Sequence, residues 1–489
     1  MGYPPFCTKV VLVIADNNQE SVSAYVADYE CLVDGVIYLL RIRQEIAESG
    51  NIEAIIRHYK AHPEDKLCHI YRPGTREQVS CRRSGIDAIH RTASRLASEA
   101  PNSCDLSAKR IAEIISERVL QVAIDGITSD GELVRVLKSY VAISELEHVE
   151  AIHYFPCILF HRGQTHPDFA PSPNEVTLGP VKFQHFSKFL EELTKAAERK
   201  EKHLEDKTLD IFSSASEKYG WIASVGIPRC APDVSRRRAE QVVETAINLL
   251  KLFIGLRHGK SMRLPHTTAS RNRETCMLTE INGNVAWRWQ GKALDGALVV
   301  GDLVADLCAA EHQFACLLLE KSLSGKRSEA TNRLIDALKW FGDASFEESS
   351  GVQIVKWVAA LERLIAVERL HRGIFHRFCK RVALLASGLG SGNVERAYRD
   401  ARTAYELRSD IMHGSRSQDD EQLARNAGLV HDLTREAIVG ALAAHHLLDS
   451  RVGDASTGSI QKLYSLTAVK SETLFGLLKN EYKKGTQSI

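Results

Sequence analysis

Leu407-Arg408-Ser409-Asp410-Ile411-Met412-His413-Gly414 is the stretch on which the reading of this chain turns. It sets an arginine and a histidine five positions apart at the end of an expected helix. Upstream, apolar or small residues recur at Val394, Ala397, Tyr398, Ala401, Ala404 and Tyr405, and the pattern continues at Ile411 and Met412. Steps of three and four are one face of an α-helix. Arg408 falls in the middle of that face, where an unpaired charge would be very costly, so it must meet a partner. Gly414 is a natural helix stop. A regular helix points His413 well away from Arg408. The two converge only if the last turn opens, or if two copies meet across an interface.

Working outward, the same periodicity predicts a helical bundle over roughly 330–347, 351–369, 374–387, 393–412 and 418–449, with breaks at Ser349-Ser350-Gly351, Gly373 and Gly388-Leu389-Gly390-Ser391-Gly392. Short loops between long helices make antiparallel neighbours. Ser322 to Ser328 reads as a linker before the bundle, and Arg451 to Ser459 as a polar break before a last helix near 460–483. Glu362 lies within the apolar stripe Val355, Val358, Ala359, Ile365, Ala366. A carboxylate there wants a cation, and Arg408 or Arg381 is the natural candidate. Asp410 points off the stripe, either to orient His413 or to face solvent.

The stretch resembles the Arg-(x)4-6-His motif of HEPN domains, a family of small helical bundles, and its wording is most similar to the ApeA-type branch of bacterial anti-phage proteins. The segments ALKWFGDASF (Ala337 to Phe346), VAALERLI (Val358 to Ile365) and RVALL (Arg381 to Leu385) resemble that branch in the same order, so the likeness covers roughly 328–450. Many active members carry Asn, Asp or His directly after the arginine; here Ser409 stands there, with Asp410 one further on.

The resemblance implies a metal-independent endoribonuclease in a defence or abortive-infection role, a toxin working in the cytoplasm as a homodimer through the C-terminal bundle. Its partners would be an RNA substrate and a phage-derived trigger. The chemistry suits the residues. RNA supplies its own nucleophile, the ribose 2′-OH; a histidine moves protons near neutral pH, and an arginine fork fits phosphate oxygens. Arg408 and His413 are thus the candidate catalytic pair, with Glu362, Asp410, Ser409 and Arg381 in support, and no cofactor or metal is called for. The alternative is a non-catalytic module of the same fold that binds RNA or protein as a sensor or scaffold, with Arg408 only a bundle salt bridge.

The first half reads as mixed. TKVVLVIA (8–15) and Val149 to His161 read as strands, the latter broken at Pro156; Ile222 to Ile227 is another strand. Tyr25 to Ala47, Ser84 to Ala97, Ala108 to Ile124 and Arg236 to Leu256 have helical spacing, with Asp105 or Ser107 as N-cap of the third. Thr194 to Lys207, with Lys and Glu interleaved, reads as a solvated helix face, with a binding patch the less common alternative. The basic segment Gly259 to Arg273 carries Lys260, Arg263, Arg271 and Arg273, followed by Trp287, Arg288 and Trp289. Cations near aromatics can grip RNA, although a basic loop beside a β-hairpin is the commoner origin of such a pattern. The fold class is therefore α+β. A mixed N-terminal domain (1–165) and a second mixed region with the basic segment (175–320) precede the HEPN-like bundle (328–450) and a helical extension (451–489).

Composition narrows the alternatives. With Lys+Arg 63 against Asp+Glu 62 the net charge is +1, so any nucleic-acid surface must be local. Hydrophobic residues at 44% and charged residues at 26% are ordinary for a soluble globular chain. The eleven cysteines never form a CxxC pair, which fits reduced thiols in a cytoplasm and no zinc ribbon. MGYPPFCTKV lacks the pattern of a signal peptide, and the most apolar run, Ala297 to Leu319, carries Asp302, Asp306, Glu311 and His312, too polar for a membrane span. No Walker loop and no GxSxG elbow is present, and His445-His446, His371 and His376 lack the spacing of a metal site.

Overall fold

A computed structural model of the chain describes residues 23–31, 68–71, 78–81, 83–125, 130–159, 174–199, 219–255, 259, 262–265, 275–281, 284–290, 311–365, 374–387, 393–418 and 420–452. The expected strand at 8–15 and helix at 460–483 lie outside them. The chain divides into two compact units, Met1–His148 with Cys230–Val234, and Val149–Arg229 with Ser235–Ile489. The protein is mostly helical, with an antiparallel sheet in the N-terminal half and a C-terminal helical region.

Among its described residues the first unit has a helical stretch over 23–31, a hairpin, β1 (Cys68–Tyr71) with β2 (Gln78–Cys81), and the helices α1 (Arg83–Glu99), α2 (Ala108–Asp125) and α3 (Asp130–Leu146). Ala88, Ile89, Ala93 and Leu96 of α1 pack with Ile111, Ile114 and Ile115 of α2 and with Leu137 and Tyr140 of α3. Of the two N-cap candidates for α2, Ser107 does the work: its Oγ accepts from the Arg110 N–H at 3.1 Å.

The second unit is built on a six-stranded sheet, ordered β4 (Glu175–Leu178), β5 (Val181–His185), β6 (Trp221–Cys230), β3 (Val149–Cys157), β7 (Thr275–Ile281) and β8 (Asn284–Gln290). β3 corrects one expectation, since it runs unbroken through Pro156. Its register with β7 covers Ile152 to Tyr154, so the missing N–H of Pro156 falls outside those pairs. α4 (Phe186–Arg199) follows β5 directly.

α5 (Pro232–Ile254) opens on Pro232 and Asp233 as its sequence suggests. It is buried nearly all round, with Ala239, Val242, Val243, Ala246, Leu249, Leu250 and Leu252 all enclosed. The buried His153 of β3 and Ser235 of α5 meet at 2.7 Å. Further along, α5 holds the C-terminal helices: Arg327 donates to Gln241 at 2.6 Å, Lys339 to Glu244 at 2.9 Å, and Arg435 to the Leu252 carbonyl at 2.7 Å. The described residues of the 175–320 region, from Ser235 on together with those of Val149–Arg229, lie in one compact unit with the described residues of the 328–450 bundle.

The helical region comprises α6 (Glu311–Leu323), α7 (Glu329–Ala344), α8 (Ser350–Ile365), α9 (Ile374–Ser387), α10 (Val394–Met412) and α11 (Glu421–Val452), of which α7 to α11 lie close to the expected bounds. Its centre is aromatic. The rings of Phe341 and Trp357 each lie 5.3 Å from that of buried His431, and burial holds the His431 imidazole below its ordinary range. No helix among the described residues is long and apolar enough to cross a membrane.

Candidate functional site

α10 carries the motif. Asn393 caps its start, accepting from the Arg396 N–H at 2.8 Å. Ala397, Ala401, Ala404, Leu407 and Ile411 form its buried face, with small residues early and bulkier ones late. The helix closes in a Schellman motif. Ser415 N–H donates to the Asp410 carbonyl at 2.9 Å, Gly414 N–H to the Ile411 carbonyl at 3.2 Å, and Gly414 takes φ +74°. His413 is the C-cap, and its N–H still reaches the Ser409 carbonyl at 2.9 Å. The last turn is thus closed. Of the two ways in which Arg408 and His413 could converge, opening of that turn is not the one adopted.

Arg408 is half-buried and lies 3.6 Å from Glu362 at the end of α8. Burial pushes the Glu362 carboxyl up, and the Arg408 charge offsets this only in part. Arg381 is not the partner of Glu362. It donates instead to the Ile365 carbonyl at 2.8 Å, while Arg333 of α7 donates to the Arg363 carbonyl at 3.1 Å. Arginines from three helices therefore meet residues 362–365 of α8, Arg408 at a carboxylate and Arg381 and Arg333 at backbone carbonyls.

His413 itself is exposed, and no hydrogen bond or ion pair joins it to Arg408 among the described residues. Asp410 does not orient it. Its carboxylate lies 4.0 Å from Arg416, whose other side faces Asp420 at 3.9 Å. Ser409 is half-buried and contributes its carbonyl to the helix end. The loop after His413 is tied to the start of α8. The Gln418 carbonyl accepts from Ser349 Oγ at 2.9 Å and from Gly351 N–H at 3.1 Å. A Cβ on Gly351 would sit 2.6 Å from that carbonyl oxygen, so only glycine fits. Arg416 and the Gln418 contact were missed in the sequence reading; neither falls on a periodic face, and no local signal marks them.

The basic segment looks different in place. Arg263 is fixed just past the end of β3 by paired backbone bonds with Ile158, both 3.0 Å, and burial lowers the pKa of its guanidinium. That half-buried position does not suit a phosphate-gripping role. Lys260, Arg271 and Arg273 lie outside the described residues, as does His371. The hairpin expected beside the segment is present as β7 and β8. Among the other histidines, His445 is buried, the His446 ring packs 5.3 Å from that of Phe314, and His376 lies 2.9 Å from the Tyr398 hydroxyl. No group of three or more His, Cys, Asp or Glu that could hold a metal occurs among the described residues.

No protein family, curated protein or solved structure matches this chain.

Proposed function

We propose that the protein is a metal-independent endoribonuclease of HEPN type, acting in the cytoplasm against phage, with Arg408 and His413 as its catalytic pair. The observation that carries this reading is the end of α10: a histidine exposed at the C-cap of a closed Schellman turn, five residues after an arginine anchored on a carboxylate. His413 has the exposure a general acid or base needs to meet a 2′-OH or a leaving 5′ oxygen. Arg408 is held with one face toward Glu362, leaving donors for a phosphoryl oxygen. Because the two diverge within one chain, the reading requires a homodimer in which the arginine of one copy serves beside the histidine of the other. A phage-derived trigger would release the activity.

The test is incubation of purified protein with labelled RNA in EDTA. The parent should cut, leaving a 2′,3′-cyclic phosphate and a 5′-OH, and His413→Ala should lower the rate by about 10²–10⁴-fold, the usual contribution of proton transfer. Cleavage that needs Mg²⁺, or that survives in His413→Ala at the parent rate, refutes the mechanism.

A second reading is favoured by the same divergence. Within one chain no hydrogen bond or ion pair joins Arg408 to His413 among the described residues, so a monomer would be a binding module for RNA or protein, with the Arg408–Glu362 pair a strut between α10 and α8. RNA binding without cleavage in the same assay would establish it.

A further inference from the structure

Beyond the motif, α10 carries a second pattern that points to how a strand would reach it. Tyr398, Arg402, Ser409 and His413 stand at i, i+4, i+11 and i+15, a spacing that keeps all four within one narrow band of the helix surface. Tyr398 and His413 are about 22 Å apart along that band at 1.5 Å per residue. α9 flanks it. The His376 ring lies edge-on to Tyr398, 5.9 Å between centroids, and Phe375 and Phe378 pack against Tyr405 at 5.3 and 5.0 Å. On the exposed side of these two helices stand Arg377, Lys380, Arg399 and Arg402, against Glu395 and Glu406. Arg402 is drawn to Glu406 at 2.8 Å. Both groups are more than half exposed, so a phosphate can compete for the guanidinium at little cost.

We infer that this α9–α10 seam is a track for single-stranded RNA, leading the strand from Tyr398 to His413. The inference rests on the ribonuclease reading for the identity of the polymer. Its physical basis is a set of exposed cations beside the exposed His376 ring and the half-buried Tyr398 ring, the combination that grips a single strand by phosphate contact and stacking without reading its sequence. The track adds what the motif alone lacks, since two side chains make a cutting point but give a flexible polymer no direction. Arg402 and Lys380 hold phosphates; Tyr398 and His376 offer ring surface to a base.

The experiment uses the full chain in a His413→Ala background, so that the probe stays intact. A short fluorescein-labelled single-stranded RNA of mixed sequence is titrated by anisotropy over a range of salt. Arg402→Glu with Lys380→Glu should weaken binding by about tenfold or more and make the slope of log K against log salt shallower by about 0.7 per lost contact. Arg402→Gln with Lys380→Gln should fall between, which guards against misfolding of the reversed pair. Tyr398→Ala should weaken binding about fivefold or more with the slope unchanged, as loss of one stacked base requires. Parent-like affinity in both charge variants overturns the track, as does affinity lost with no change in salt slope. If the His413→Ala chain binds no RNA, the track also falls. The ribonuclease reading is judged separately, by whether the parent cuts, so either can fail while the other stands.

Discussion

The Arg408 guanidinium lies 3.6 Å from the Glu362 carboxylate, and each side chain keeps about three-tenths of its surface exposed (29% and 32%). This is a longer and wetter pair than an arginine in mid-face suggests. The carboxyl is nevertheless raised rather than lowered, because burial outweighs the attraction. A Glu whose folded pKa is raised binds protons more readily folded than unfolded, so its contribution to stability declines as pH rises through that window. Glu362→Gln should therefore be at least as stable as the parent at pH 7, with the gap closing toward pH 4. Thermal melts at the two pH values check this. If Arg408 needs its anchor, the same variant loses RNA cleavage while keeping its fold.

Arg408→Ala removes the offsetting charge and leaves Glu362 half-buried. Because the pair is partly solvated, the cost should be about 1–2 kcal/mol, below the range typical of fully buried pairs. Urea unfolding measures it. A loss above that range would mean that Arg408 carries packing as well as charge.

Lys251 predicts the opposite sign. Its ammonium is buried at the end of α7, 3.2 Å from Ser345 Oγ and 3.7 Å from the centre of the Phe346 ring, and burial lowers its pKa to about 7. The unfolded chain holds the proton up to about pH 10. Between these values the unfolded state binds more protons, so this group makes the fold more stable as pH rises from about 7 to 10. Lys251→Met should stabilise the protein by about 1–4 kcal/mol below pH 7, less as pH rises, since an apolar side chain avoids burying the charge. Melting curves at pH 6 and pH 9.5 decide it: an equal effect at both contradicts the argument.

Gly351→Ala should destabilise by about 1–3 kcal/mol, the usual cost of forcing a methyl into filled space. Under the ribonuclease reading it should also slow cleavage, because the displaced Gln418 belongs to the loop that follows His413. Rescue of cleavage by a compensating change on the loop side would locate the effect there.

The divergence of Arg408 and His413 predicts a two-fold dimer, the commonest closed assembly. Light scattering should give twice the chain mass of 54.4 kDa at micromolar concentration. A strict monomer, with and without RNA, would favour the binding-module reading.

Much of the helical region is legible in the sequence because its signals are local. α9 occupies 374–387 as its periodicity indicates, Gly414 stops α10, Ser107 caps α2, and Glu362 finds one of its two candidate arginines. What escapes is set by contacts distant in the chain. The strand through Pro156 depends on which residues β7 pairs; the placement of Arg263 depends on its backbone bonds to Ile158; the joining of sheet and bundle depends on α5 being buried along most of its length. Of the site, the motif residues are readable from spacing, but their orientation is not. That depends on a hydrogen-bonded turn whose closure only the backbone reveals.

α8 touches both ends of the motif region, with Glu362 beside Arg408 and Gly351 holding the loop after His413. These two points are about 16 Å apart on a stiff rod at 1.5 Å per residue. The helix works as a gauge block: the interval between guanidinium and loop is set by a neighbour that contributes no motif residue of its own. One residue inserted into α8 between Gly351 and Glu362 would swing the two anchor points about 100° out of phase at 3.6 residues per turn. The length of α8 is thus as much a part of the motif as the spacing of Arg408 and His413.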